Sequence, residues 1–188
     1  MSQLTIGEAI NIYKAIEQGK SLPTLNGRLV KSSTKYIAGL AATLGQDNGQ
    51  LILAKMVPEV GVTNLPKGNM LPAGVNYLVT GVRVLFDTTT AVTVATATWK
   101  SEAPANWKNG ELKIAQNGTG NVFETSITDV SNWKASTSND DDFRSIMPVL
   151  LKSDTVYEIQ VSLASGSTAN QAYKVELRVV EIIENGQN

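Results

Sequence analysis

Residues 71–86 read LPAGVNYLVTGVRVLF, and their reading decides the fold. Val82, Val84 and Phe86 fall at every second position, the period at which a pleated strand presents one face to a core. Pro72 and Gly74 punctuate the approach, so a connecting loop turns the chain into this strand. The other face, Gly81, Arg83 and Leu85, is left to meet solvent or a neighbour. No obvious chemistry accompanies the strand, because the chain contains neither histidine nor cysteine.

The period of two continues outward from there. Near the C-terminal end Tyr157, Ile159, Val161 and Leu163 alternate with Glu158, Gln160 and Ser162. Tyr173, Val175, Leu177 and Val179 alternate with Lys174, Glu176 and Arg178 in the same way. NGELKIAQNGTGNVFETSI reads as a hairpin: Leu112 and Ile114 share a face, Asn117 to Gly120 tolerate positive φ, and Phe123 and Ile127 resume the pattern. Strands are expected near 50–57, 76–86, 91–100, 111–117, 121–130, 144–151, 155–164 and 173–183. Pro148 places the strand around 146–151 on an edge or at a bulge.

The first fifty residues follow a different period. Thr5 and Glu8 form a capping box, with Ile6, Ile10 and Tyr13 on one face, and predict a helix over about 5–18. Ile37, Leu40, Ala41 and Leu44 repeat at helical spacing and predict a second helix over about 28–44, stopped by Gly45. The expected organisation is therefore a helical arm over 1–49 followed by a β domain over 50–188. Eight strands without helical crossovers restrict that domain to an antiparallel sandwich or barrel. With that strand count the expectation is a mainly β fold, an eight-stranded antiparallel single jelly-roll sandwich with an N-terminal helical arm.

Composition narrows the chemistry. At 188 residues and 42% hydrophobic content the chain can bury a core without staples. A formal net charge of −1 argues against general nucleic-acid binding, which needs clustered cations to displace counterions from phosphates. The N-terminus lacks the features of a signal peptide, and no apolar run approaches bilayer-spanning length. Missing histidine and cysteine remove Ser-His-Asp triads, thiolate and imidazole metal sites, and cysteine nucleophiles. No catalytic residue, enzyme activity, cofactor or small-molecule substrate is expected.

A few constellations are weighed against plainer readings. Glu102, Glu111, Glu124, Asp129 and Glu158 supply carboxylates for a glycosidase-type pair, yet they match the solvent faces of alternating strands. Asp140, Asp141 and Asp142, beside Asn139 in the long loop 131–143, are the candidate ligands for a hard cation; a solvated acidic loop is the plainer reading. Trp107 and Trp133, with Trp99, are the candidates for a sugar-stacking platform, against core closure or an interface. Asn117-Gly118-Thr119 has a glycosylation pattern but already serves as a turn. Lys14, Lys20, Arg28, Lys31 and Lys35 make the arm mildly basic, with a genome or an anionic lipid surface as the functional reading and a solvated helix face as the plain one.

The order of these features carries a resemblance. A helical arm is followed by NLPKGNMLPAGVNYLVTGVRVLF, a Thr/Val/Ala strand, NGELKIAQNGTGNVFETSI, DDDFRSIMPVLLKSDTVYEIQVSL and AYKVELRVVEI. This succession resembles the jelly-roll capsid proteins of tailless icosahedral bacteriophages, often membrane-containing, over about residues 50–183. The best-known major capsid proteins of that lineage carry two jelly rolls, and 188 residues hold one. The resemblance implies a structural protein without enzyme activity, a capsomer-forming major capsid protein or a vertex subunit, located in the virion and in the host cytoplasm during assembly. Its implied partners are further copies of itself in a homo-oligomer and other capsid proteins, with an internal membrane or the genome as further contacts of the arm. The alternative is a carbohydrate-binding or adhesive β-sandwich module.

Overall fold

The computed structural model describes residues 6–16, 29–41, 49–89, 92–131, 143–164 and 171–183. Helix α1 (Ile6–Ile16) is followed by strands β1 (Leu29–Leu40), β2 (Gly49–Gln50) and β3 (Val75–Asp87). Then come α2 (Ala105–Lys108), β4 (Glu111–Gln116), β5 (Gly120–Ser126), α3 (Ile127–Val130), β6 (Arg144–Leu151), β7 (Tyr157–Ser162) and β8 (Ala172–Ile183). The strands form two four-stranded antiparallel sheets, ordered β1-β8-β3-β6 and β2-β7-β4-β5. The fold is a mainly β sandwich: Val79, Val82, Val84, Val175 and Leu177 of one sheet share a buried core with Leu112, Ile114, Ile159 and Val161 of the other.

The expected helix over 28–44 is instead strand β1, which pairs with β8 along its whole length from Leu29↔Ile183 to Leu40↔Ala172. The helical spacing of Ile37, Leu40 and Ala41 competes here with β-branched Val30, Thr34 and Ile37 and with Ser32-Ser33, all weak helix formers. A twelve-residue ladder with β8 satisfies the backbone groups on one side of β1, and on its free side Ala38 N donates to Val62 O, so tertiary pairing overrides a local pattern. Helix α1 forms as expected, with Ile12 and Tyr13 packed on a second apolar cluster of Leu78, Leu150, Val180 and Ile182 on the outer face of the β1-β8-β3-β6 sheet.

The strand expected over 91–100 is absent from the described residues, which hold a short 3₁₀ turn at Val94–Thr96 and a single bridge, Phe86↔Lys100. Side chains take the backbone bonds that a ladder would have used: Asp87 Oδ1 accepts from Thr89 N at 2.8 Å, Asp87 Oδ2 from Thr98 N at 2.6 Å, and Thr96 Oγ1 from Thr93 N at 3.0 Å. The strand expected over 50–57 shrinks to Gly49–Gln50, and the one over 121–130 ends at Ser126, whose hydroxyl accepts from Thr128 N to start α3. The β4–β5 hairpin turns as expected, with Gly118 and Gly120 at φ 79° and 77°.

One irregularity sets the phase of β3. Val79 pairs with Val179 and Gly81 with Arg178, so Thr80 is an extra residue whose hydroxyl donates to Arg178 O at 3.3 Å. This bulge carries the inward positions from Tyr77 and Val79 to Val82, Val84 and Phe86. On the other side Val79 pairs with Val149 and Gly81 with Ser145, leaving Ile146, Met147 and Pro148 opposite Thr80. Pro148 thus sits at an edge-strand irregularity, as its missing N–H requires.

Candidate functional site

Most of the residues singled out from the sequence have structural partners. Trp107 is fully buried on α2: its ring meets Phe86 edge-on at a centroid distance of 5.0 Å and Tyr173 at 5.7 Å, and Nε1 donates to Gln171 Oε1 at 3.1 Å. It therefore offers no ring face to a sugar. Trp133 and Asp140, Asp141 and Asp142 lie outside the described residues. Among the described residues no cluster of three or more acidic side chains is placed to hold a metal ion.

The carboxylates divide. Glu111 and Glu124 meet at Lys113, whose Nζ lies 3.2 and 3.4 Å from them. The hydrogen bond to Glu111, then that to Glu124, raises the Lys113 pKa. Glu158 accepts from Gln160 Nε2 at 2.6 Å, Asp129 accepts from Thr125 Oγ1 at 3.4 Å, and Glu102 is exposed. The basic arm also divides, because Lys35 and Lys31 turn towards Glu181 of β8 at 2.7 and 3.5 Å.

Glu181 is nearly fully buried between β1 and β3. Burial pushes its pKa up, but hydrogen bonds from Lys35 and Ser33 and the charges of Lys35 and Lys31 outweigh burial and hold it below the usual carboxylate range. Lys35 Nζ also lies 5.1 Å from the centroid of Tyr77. Burial, reinforced by the Glu181 charge, raises the Tyr77 hydroxyl pKa far above its ordinary value. Lys35 and Glu181 form a largely buried ion pair, with Lys31 half exposed beside it.

The outer face of the same sheet is covered by a second polar network that the sequence did not reveal. Arg83 Nε donates to Glu176 Oε2 at 2.9 Å, and Lys174 Nζ lies 2.6 Å from Glu176 Oε1. The guanidinium groups of Arg83 and Arg178 each lie 4.6 Å from the Phe143 ring centroid, and Lys174 lies over Tyr36 at 4.7 Å and Trp99 at 5.9 Å. Arg83 belongs to the face left open above, and its partners are Glu176 and Phe143 of the same chain. Alternation marks these positions as outward, but partners on other strands and loops, far away in the chain, carry no local signal.

Two apolar features have no cover within the described chain, and they lie at opposite lateral edges. At one edge β5 and β6 are the outermost strands of their sheets. Between them opens a cleft of about 310 Å³, walled by Val122, Phe123, Ile146, Pro148 and Val149, with Arg144 and Asp129 at its rim. Met147, thrown outward where β6 departs from β3, is 87% exposed. At the other edge, residues 62–64 bond along β1: Ala38 N donates to Val62 O at 2.7 Å, and Asn64 N to Tyr36 O at 3.4 Å.

That segment holds out a tight turn, Glu59 to Thr63, closed by Glu59 N→Thr63 O and Thr63 N→Glu59 O bonds of 2.9 Å each. Gly61, at φ 87°, makes the reversal and donates its N–H to the Tyr36 hydroxyl at 3.2 Å. Val60 at the tip is 99% exposed, and Val57 is 71% exposed. No helix among the described residues is long and apolar enough to cross a membrane. The chain matches no protein-family model, and no curated protein resembles it significantly.

Proposed function

We propose that this protein is a structural subunit of an icosahedral viral capsid, of the tailless-bacteriophage kind, built on one jelly roll and assembling with further copies of itself. The observation that carries the reading is the strand pairing: β1 with β8, β2 with β7, β3 with β6 and β4 with β5. These are the pairs of one long antiparallel ribbon, and rolling that ribbon adds the β3–β8 and β4–β7 contacts that complete two sheets. Supporting it are the stiff double-faced cover of the β1-β8-β3-β6 sheet and the uncovered apolar features at both lateral edges, where neighbouring shell subunits would meet.

In this reading residues preceding β1 are the arm, and the apolar stripe of α1 is what it carries. A shell subunit needs shape and edges, and an active site is no part of the requirement. Light scattering and electron microscopy of the purified chain, with and without residues 1–16, test the proposal. Closed multimers of one cyclic symmetry or shell fragments are expected. A monomer at all concentrations and salt conditions, unchanged by the truncation, overturns it.

A further inference from the structure

We propose that Asn117 is a site of spontaneous covalent modification, its carboxamide attacked by the Gly118 main-chain nitrogen to form a cyclic imide, and that the similar pair at Asn109 is protected. The chain carries Asn-Gly pairs at 26, 48, 109, 117 and 185, and those at 109 and 117 lie wholly within the described residues. Glycine after asparagine leaves the attacking nitrogen unshielded, because no Cβ stands beside it. The dipeptide is the same at both positions, and the structure separates them. The modification needs no partner and stands apart from the shell-subunit reading.

Asn117 and Gly118 stand exposed at the tip of the β4–β5 hairpin, in a turn closed by Thr119 N→Gln116 O at 3.0 Å. The Gly118 N–H has no backbone acceptor among the described residues, and a Cβ added there would meet nothing within 4 Å. Asn109 is exposed too, but its glycine is buried and held on both sides. Gly110 N donates to Trp107 O at 2.8 Å, and Gly110 O accepts from Ile127 N at 2.9 Å. A Cβ at Gly110 would stand 2.8 Å from Leu163 Cδ2 and 2.9 Å from Ser162 O. Attack by the Gly110 nitrogen must first break a buried hydrogen bond, which slows the reaction about tenfold or more. At Asn117 the new bond joins Gly118 N to Cγ, and the Cγ–Nδ2 bond breaks. Nδ2 leaves as ammonia with the proton of the Gly118 N–H. Water then opens the ring at either carbonyl, giving aspartate or isoaspartate. Each product adds a negative charge to the tip, and isoaspartate also lengthens the main chain by a methylene in the turn that sets the β4–β5 register.

The purified full chain, incubated in mildly alkaline buffer and digested at intervals, tests this by mass spectrometry of the peptides that carry Asn109 and Asn117. Conversion at Asn117 is expected to run at least about tenfold faster than at Asn109. Isoaspartate is expected in the product, since direct hydrolysis of the carboxamide gives aspartate alone. In urea concentrations that unfold the chain, the two rates are expected to converge, because the bonds that hold Gly110 are gone. Gly118→Ala places its Cβ in open space and is expected to leave the circular dichroism unchanged while slowing conversion at Asn117 alone. Equal rates in the folded chain, a difference that persists in urea, aspartate without isoaspartate, or conversion indifferent to Gly118→Ala overturns the proposal.

Discussion

Trp107 sits where both sheets and α2 converge, and its environment shows how one residue reports on the whole interior. Phe86 and Tyr173 lie against its ring, and Gln171 Oε1 accepts from both Trp107 Nε1 and Asn106 Nδ2 at 3.1 Å. Burial pushes the neighbouring Tyr173 hydroxyl up to about 12, in keeping with a site closed to water. Trp107→Ala removes the largest fully buried side chain, and the cavity is expected to lower stability by about 3–5 kcal/mol, read from urea unfolding. A loss below about 1 kcal/mol would mean that the ring is not packed as described. Three tryptophans suggested a platform for sugars, and the sequence contains nothing that separates a stacking ring from a core ring. That distinction depends on Phe86 and Tyr173, which alternation alone does not bring to the same place.

The β3 strand makes the corresponding point for an element. Its alternation is legible, but in two halves of opposite phase, and the bulge at Thr80 joins them. Deleting Thr80 removes the extra residue, so that Gly81↔Arg178 follows Val79↔Val179 directly in a regular ladder and Val82, Val84 and Phe86 keep the inner face. The deletion variant is therefore expected to fold, and Thr80→Val, which loses the bond to Arg178 O, is expected to cost about 1 kcal/mol. Thermal melting of the two variants checks this, and a deletion variant that does not fold would refute the assignment of Thr80 as the extra residue. The β4–β5 hairpin is legible because its turn chemistry is local, and β6 because Pro148 marks an edge or a bulge. β1 departs from its local helical period because its strand state is imposed by β8, some 140 residues away. The segment after β3 departs from its strand-like composition for the converse reason: Asp87 and the threonine hydroxyls divert backbone groups into a compact loop.

At the scale of the whole molecule, two buried carboxylates link the fold to pH. Asp87 is held low by the hydrogen bonds of Thr89, side chain then backbone, and of Thr98; Glu181 is held low when its lysine and serine partners outweigh burial. A carboxylate whose native pKa is depressed adds stability that is full above the ordinary carboxylate range near about pH 4 and is lost as pH falls through the lower native value. Stability is therefore expected to fall on acidification below about pH 4, and Glu181→Gln to be less stable at neutral pH with a shallower acid limb. Denaturant midpoints measured from neutral pH to pH 2 decide it, and parallel limbs for the two proteins would exclude Glu181 as a contributor. By itself the sequence determined the strand-rich class, the local hairpin, the edge character of β6, the N-terminal helix and the lack of histidine and thiol chemistry, because these follow from composition and short-range period. Only the tertiary structure decided that β1 is a strand, that Trp107 is core, that Arg83 is spent on Glu176 and Phe143, and that an apolar tip and an apolar cleft stand at opposite edges. Each of these depends on pairing or packing between residues far apart in the chain, where burial and backbone satisfaction outweigh local preference.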